Sequence, residues 1–110
     1  MKVILPIKTV SLTNQREHWK VRHRRNKNQN EVIGLLMPKG VPVPCTVRLT
    51  RIAPSMGLDP HDNLPASLKN AVDQIARLSG VDDRDPRIKW EYAQERGPAK
   101  VYEVHVEVLA

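Results

Sequence analysis

The order of apolar patterns along this 110-residue sequence predicts an α/β chain of the α+β kind: one domain over residues 1–110, a two-layer sandwich of a small mixed sheet with two main helices. Three observations carry that expectation. Leu64, Leu68, Ala71, Val72, Ile75, Ala76 and Leu78 recur at a 3.6-residue period, which marks a helix with one buried side. Residues 45–52 and 101–108 alternate apolar and polar, which marks strands with one buried face. The segments follow one another as strand, helix, strand, helix and a closing hairpin.

The first strand falls in residues 2–10, where Val3, Ile4, Leu5, Ile7 and Val10 are interrupted by Pro6, so it belongs at a sheet edge or carries a break. Residues 14–37 read as a long polar helix with Trp19, Val32, Ile33, Leu35 and Leu36 on its buried side. Residues 38–44 form a stiff turn rich in proline. In the strand that follows, Cys45, Val47 and Leu49 face inward, and Cys45 is expected as a small buried residue. Asp62 or Asn63 can cap the second helix, Pro65 suits its first turn, and Gly80 suits the position just past its end. Residues 88–92 and 101–108 are then the last two strands, joined near Arg96, Gly97 and Pro98. Tyr102, Val104, Val106 and Val108 face one way, and His105 sits on the solvated side.

A single cysteine excludes an internal disulfide framework and a zinc site of paired cysteines. No signal peptide or membrane span is expected, so a cytoplasmic setting is the default expectation. The net charge of +6 is unevenly spread: residues 1–53 hold eleven Lys and Arg against two Glu, whereas residues 54–110 hold seven against ten Asp and Glu. A basic half joined to an acidic half suits a metal-dependent enzyme acting on a polyanion, though a basic surface alone is common.

Arg16, Lys20, Arg22, Arg24, Arg25 and Lys27 crowd the polar helix with His18, Trp19 and His23. Favourable pairs four residues apart are scarce in a run of one sign, so contact with phosphate is the expected role, with a solvated helix face as the alternative. Four aromatic residues in the whole chain argue against base stacking of the single-strand kind.

Acids bracket the second helix, with Asp59 and Asp62 before it and Asp82, Asp83 and Asp85 after it. They serve either as ordinary caps and turn residues or, in Asp59, Asp62 and Asp83, as oxygen ligands of a hard divalent cation. Oxygen donors without a Cys or His cluster suit Mg²⁺, with Mn²⁺ possible, rather than zinc. Along a helix axis the two groups lie roughly 20 Å apart at 1.5 Å per residue, so they meet only if the chain folds back.

Asp59, Pro60, His61, Asp62, Asn63 and Leu64, the helix with Lys69 and Asp73, and Gly80, Val81, Asp82 and Asp83 resemble the RusA family of Holliday junction resolvases, found in phages and prophages. The resemblance is clearest over about thirty residues. It implies a small homodimeric, Mg²⁺-dependent endonuclease that nicks four-way DNA junctions in recombination and repair. Asp62 matches the motif aspartate, Asn63 and Leu64 its neighbours, and Asp83 the essential downstream acid. Two positions depart from the motif. Its first acid would fall at Pro60, so Asp59 takes that role one residue early, and its lysine would fall at Ala66, so Lys69 takes that role one turn later.

The expected machinery is therefore Asp59, Asp62 and Asp83 as metal ligands, with Lys69 either beside the phosphate or in a pair with Asp73 four residues on. His61 is either a substitute acid or base or a plain loop histidine. Arg16, Lys20, Arg22, Arg24, Arg25 and Lys27 would hold the DNA arms. A junction-binding protein without catalysis, or a protein-interaction module, would have the same composition.

Overall fold

The computed structural model describes residues 1–10, 19–54, 57–58 and 63–109. Among these, strands β1 (Lys2–Leu5), β2 (Cys45–Ala53), β3 (Ile88–Arg96) and β4 (Glu103–Leu109) form one mixed sheet. Helices α1 (Trp19–Leu36) and α2 (Asn63–Leu78) lie between β1 and β2 and between β2 and β3. The sheet order is β1-β4-β2-β3. β4 is antiparallel to β1 and β2, and β2 is parallel to β3 through the α2 crossover.

The two-layer α+β expectation holds, but the closing hairpin does not form. β2 lies between β3 and β4, so those strands are antiparallel without being neighbours. Two physical demands produce this order. A β–α–β crossover pairs β3 with β2 in parallel, and the apolar positions of β4 align with inward Val47 and Leu49 of β2 and inward Val3 and Leu5 of β1.

Alternation builds the core from one sheet face. Val3, Val106, Leu49 and Tyr92 form one inward row, and Leu5, Val104, Arg51 and Gln94 form the next. Val47, Leu49, Val104 and Val106 pack with Ile33, Leu64, Leu68, Val72 and Ile75 of the helices in one buried cluster. Cys45 belongs to this cluster, and burial pushes its thiol pKa up. The opposite face carries the rows Lys2, Glu107, Arg48, Glu91 and Ile4, His105, Thr50, Ala93. Arg48 donates to Glu91 Oε1 at 3.1 Å, and His105 is half-buried beside Glu103 rather than fully solvated.

α2 follows its expected pattern closely. Its buried residues include Leu64, Leu68, Ala71, Val72, Ile75 and Ala76. The end is a Schellman turn: Val81 N–H donates to Ala76 O at 3.0 Å and Gly80 N–H to Arg77 O at 3.1 Å, with Gly80 at φ 79°.

α1 corrects the expected sidedness. Trp19 is 66% exposed, Leu35 81% and Leu36 47%. The inward line is Gln29, Ile33 and Met37, spaced by four, with Val32 partly buried at its flank. Leu35 lies about 200° around the helix from Ile33, and residues 19–24 are exposed on all sides. Gln29 is buried because its amide is matched: Nε2 donates to Lys8 O at 2.7 Å and Oε1 accepts from Asn70 Nδ2 at 2.9 Å. β1 stops before Pro6, whereas β3 runs four residues past the expected Tyr92. No helix among the described residues is long and apolar enough to cross a membrane.

Candidate functional site

The loop after α2 separates its acids by role. Asp82 Oδ1 accepts from Arg84 N–H at 2.9 Å, and Asp85 Oδ1 accepts from Arg87 N–H at 3.0 Å, so both are turn-forming carboxylates. The Arg84 N–H on Asp82 lowers that carboxyl's pKa, and the Arg87 guanidinium on Asp85 lowers that one to about 2. Asp83 forms no such turn. Its Oδ2 lies 3.7 Å from Lys69 Nζ, back along α2 toward the N-terminal half of the helix.

Asp83 thus comes back against a residue of the helix that precedes it. Lys69 also meets Asp73 Oδ1 at 3.4 Å, one turn along α2. The Asp73 carboxylate, with a smaller effect from Asp83, raises the lysine pKa, which keeps the ammonium charged. Asp83, Lys69, Pro65, Ala66, Val72 and Tyr92 line one open cavity of about 200 Å³. Ala66, where the motif lysine would fall, thus shares a cavity with the lysine expected to replace it.

β3 supports this cavity through its inward residues. Trp90 Nε1–H donates to Asp83 O at 3.1 Å, fixing the backbone that carries the acid. Two residues on, Tyr92 forms a cavity wall, and burial raises its hydroxyl pKa. Two residues further, Gln94 Nε2 donates to Leu58 O at 2.6 Å, holding the residue that precedes Asp59. The Gln94 Oε1 is enclosed and accepts no hydrogen bond among the described residues. Its row neighbour Arg51 donates to Thr9 Oγ1 at 3.1 Å, and desolvation lowers the guanidinium pKa. Sequence reading missed Tyr92 and Gln94 as site residues. The available signal was their strand phase, shared with Trp90.

Asp59, His61 and Asp62 lie outside the described residues, as do Arg16 and His18. The described residues hold no group of three or more His, Cys, Asp or Glu that could bind a metal. Of the expected ligands, Asp83 alone is among the described residues, and its carboxylate lies beside Lys69.

Lys20, Arg22, Arg24, Arg25 and Lys27 all lie on α1, and all but the half-buried Arg25 are exposed. Lys20, Arg24 and Lys27 line a shallow groove with Trp19 and His23. Arg25 instead turns toward α2, where it lines a second cavity with Lys69. Arg25 is thus the residue of the basic segment that shares a cavity with Lys69. No protein-family model matches the chain, and no curated protein matches it.

Proposed function

We infer that this chain is a Mg²⁺-dependent, structure-specific endodeoxyribonuclease of the RusA type, acting on four-way DNA junctions. The observation that carries the reading is the meeting of Asp83 with Lys69 in a cleft beside the start of α2, the helix that Asp62 immediately precedes. The motif demands an acid downstream of the helix that returns to the acids upstream of it. Asp82 and Asp85 serve turns of their own loop, whereas Asp83 meets Lys69 of the helix.

Asp59, Asp62 and Asp83 would hold the cation, whose role when bound is to polarise the scissile phosphate and make an attacking water acidic. Lys69, with its ammonium held charged, offsets negative charge building on the phosphate. Helical side chains ordinarily lean toward the helix start, whereas the Lys69 ammonium rests between Asp73, one turn toward the helix end, and Asp83. Tyr92, on the same wall, offers a hydroxyl donor to a phosphate oxygen or a ring face to a deoxyribose. Lys20, Arg22, Arg24, Arg25 and Lys27, with Arg16, supply phosphate contacts along the DNA arms. Two copies about a two-fold axis would present two sites to two opposing strands.

The deciding experiment is junction cleavage with Mg²⁺ by the wild type, Asp62→Asn and Asp83→Asn. Cutting by the wild type with loss in both variants supports the reading, and equal cutting by all three removes the carboxylates from the chemistry. Binding without cutting under Mg²⁺ and Mn²⁺ alike would leave a junction-binding protein in its place.

A further inference from the structure

A groove of about 390 Å³ runs along α1 where the helix faces residues 6–8, the stretch that follows β1. It shares no lining residue with the Lys69–Asp83 cleft. At 3.6 residues per turn, Val21, Arg25, Asn28 and Val32 fall within about 60° of one another around α1, so they form one stripe, about 16 Å long at 1.5 Å per residue. Beside that stripe runs the inward line of Gln29, Ile33 and Met37, which ties α1 to the core. Val32 packs against the same core, but toward the start of the helix the stripe is open, with Val21 51% exposed.

Apolar and charged side chains divide the groove between them. Pro6, Ile7, Val21 and Val32 supply apolar surface, whereas Lys8, Arg24 and Arg25 supply three positive charges, and no carboxylate is among the described residues that line it. The two sides are tied together, because Gln29 Nε2 of α1 donates to Lys8 O at 2.7 Å, so the groove is preformed. The Lys8 ammonium lies over the Tyr102 ring, 4.6 Å from its centroid, which gives that charge a fixed place. A DNA strand gains little from such a surface: phosphates seek charge alone, and bases stack on aromatic rings, of which the groove lining has none. The α1 helix of a second copy would bring like charge against Arg24 and Arg25. A helix with one apolar stripe flanked by acids matches both features at once. Its apolar side chains cover Ile7, Val21 and Val32, and its carboxylates meet Lys8, Arg24 and Arg25.

We propose that this groove docks a short acidic amphipathic helix of a partner protein. The surface is separate from the cleft assigned to phosphate cleavage, and it stands without that assignment. Arg24 and Arg25 belong to the segment expected on the DNA arms, so a docked acidic helix and a DNA arm exclude each other there.

The test uses a fluorescein-labelled synthetic peptide of Asp, Glu and Leu with its leucines at helical spacing, and a control peptide with serine in place of every leucine. By fluorescence anisotropy the leucine peptide should bind the wild type about tenfold more tightly than the control. Val21→Asp and Arg24→Glu, both at exposed positions, should each weaken the leucine peptide by about tenfold. In NMR titrations the methyl signals of Ile7, Val21 and Val32 should shift with the leucine peptide. Equal binding of the two peptides would be attraction of charge alone and overturns the proposal, as do methyl signals that stay still or variants that bind like the wild type. If duplex DNA moves those signals as far as the peptide does, the groove belongs to a nucleic-acid face. If they move on raising the protein concentration alone, it belongs to a second copy. Either result also overturns the proposal. None of these readouts uses junction cleavage, so the docking groove and the nuclease reading stand or fall separately.

Discussion

Lys69 Nζ lies 3.4 Å from Asp73 Oδ1 and 3.7 Å from Asp83 Oδ2, so one ammonium joins a carboxylate on its own helix to one beyond the end of that helix. The Lys69 side chain is 63% exposed, so solvent weakens both pairs, and their joint effect on stability is under about 1 kcal/mol. Lys69→Met should therefore lower stability only slightly and, on the proposed function, reduce junction cleavage by about tenfold or more, because the charge would act on the developing phosphate. The sign of the pH effect is fixed by the raised lysine pKa. The stabilisation is complete below the ordinary lysine value of 10.5 and disappears as pH rises through the higher folded value. Urea denaturation at neutral pH and near pH 11 should show the wild type and Lys69→Met converging at the higher pH.

Gln94 and Trp90 hold the two acid-bearing segments at two points on one strand, about 13 Å apart at 3.3 Å per residue. Gln94→Met removes the donor to Leu58 O and should cost about 1 kcal/mol, partly offset because the unmatched Oε1 goes with it. Amide exchange should accelerate at Gly57 and Leu58 and stay unchanged across β4. Unchanged protection at Leu58 would show that Gln94 does not hold that segment.

Two glycines with positive φ should respond very differently to alanine. At Gly40, φ 64°, an added Cβ would meet the Ser79 hydroxyl, Ser79 N at 2.6 Å and Ile75 O at 2.9 Å, where the Ser79 Oγ also accepts from Val41 N–H. At Gly80, φ 79°, the same Cβ enters open space. Gly40→Ala should cost about 2–4 kcal/mol and Gly80→Ala about 1 kcal/mol, read from denaturation midpoints.

The Asp85 carboxyl should titrate near the value of about 2 that its Arg87 contacts impose, well below the ordinary 3.8. A lowered carboxyl pKa contributes stability above the unfolded value and loses it as pH falls through the folded one. In Arg87→Ala the Asp85 midpoint, followed by carbon NMR, should climb back toward 3.8. A midpoint unmoved by that change would assign the shift to the loop backbone instead.

How far the sequence foretold the structure depended on what each element buries. α2 was legible because its apolar residues repeat on one side and Gly80 marks its end, so period and capping agree. α1 was misread because its inward position is taken by Gln29, a polar residue whose partners, Lys8 and Asn70, are distant in sequence. The missing hairpin has the same origin. The stretch near Arg96, Gly97 and Pro98 was read as a turn between neighbours, yet the positions of β2 that attract both β3 and β4 lie far upstream. At the site, Asp83 and Lys69 were named from the motif and are brought together. Tyr92 and Gln94 were not named, because nothing local distinguishes them from other inward strand residues.

Cys45 opens the central strand β2, is the chain's one thiol, and is shut into the core at 7% exposure. Its accessibility to a small disulfide reagent is thus a clock for the opening of the sandwich, since labelling requires β2 to leave its neighbours. Any cysteine introduced on the outer surface would react first, so α1 or the Asp83 loop can carry a single fluorophore with the native residue left in place.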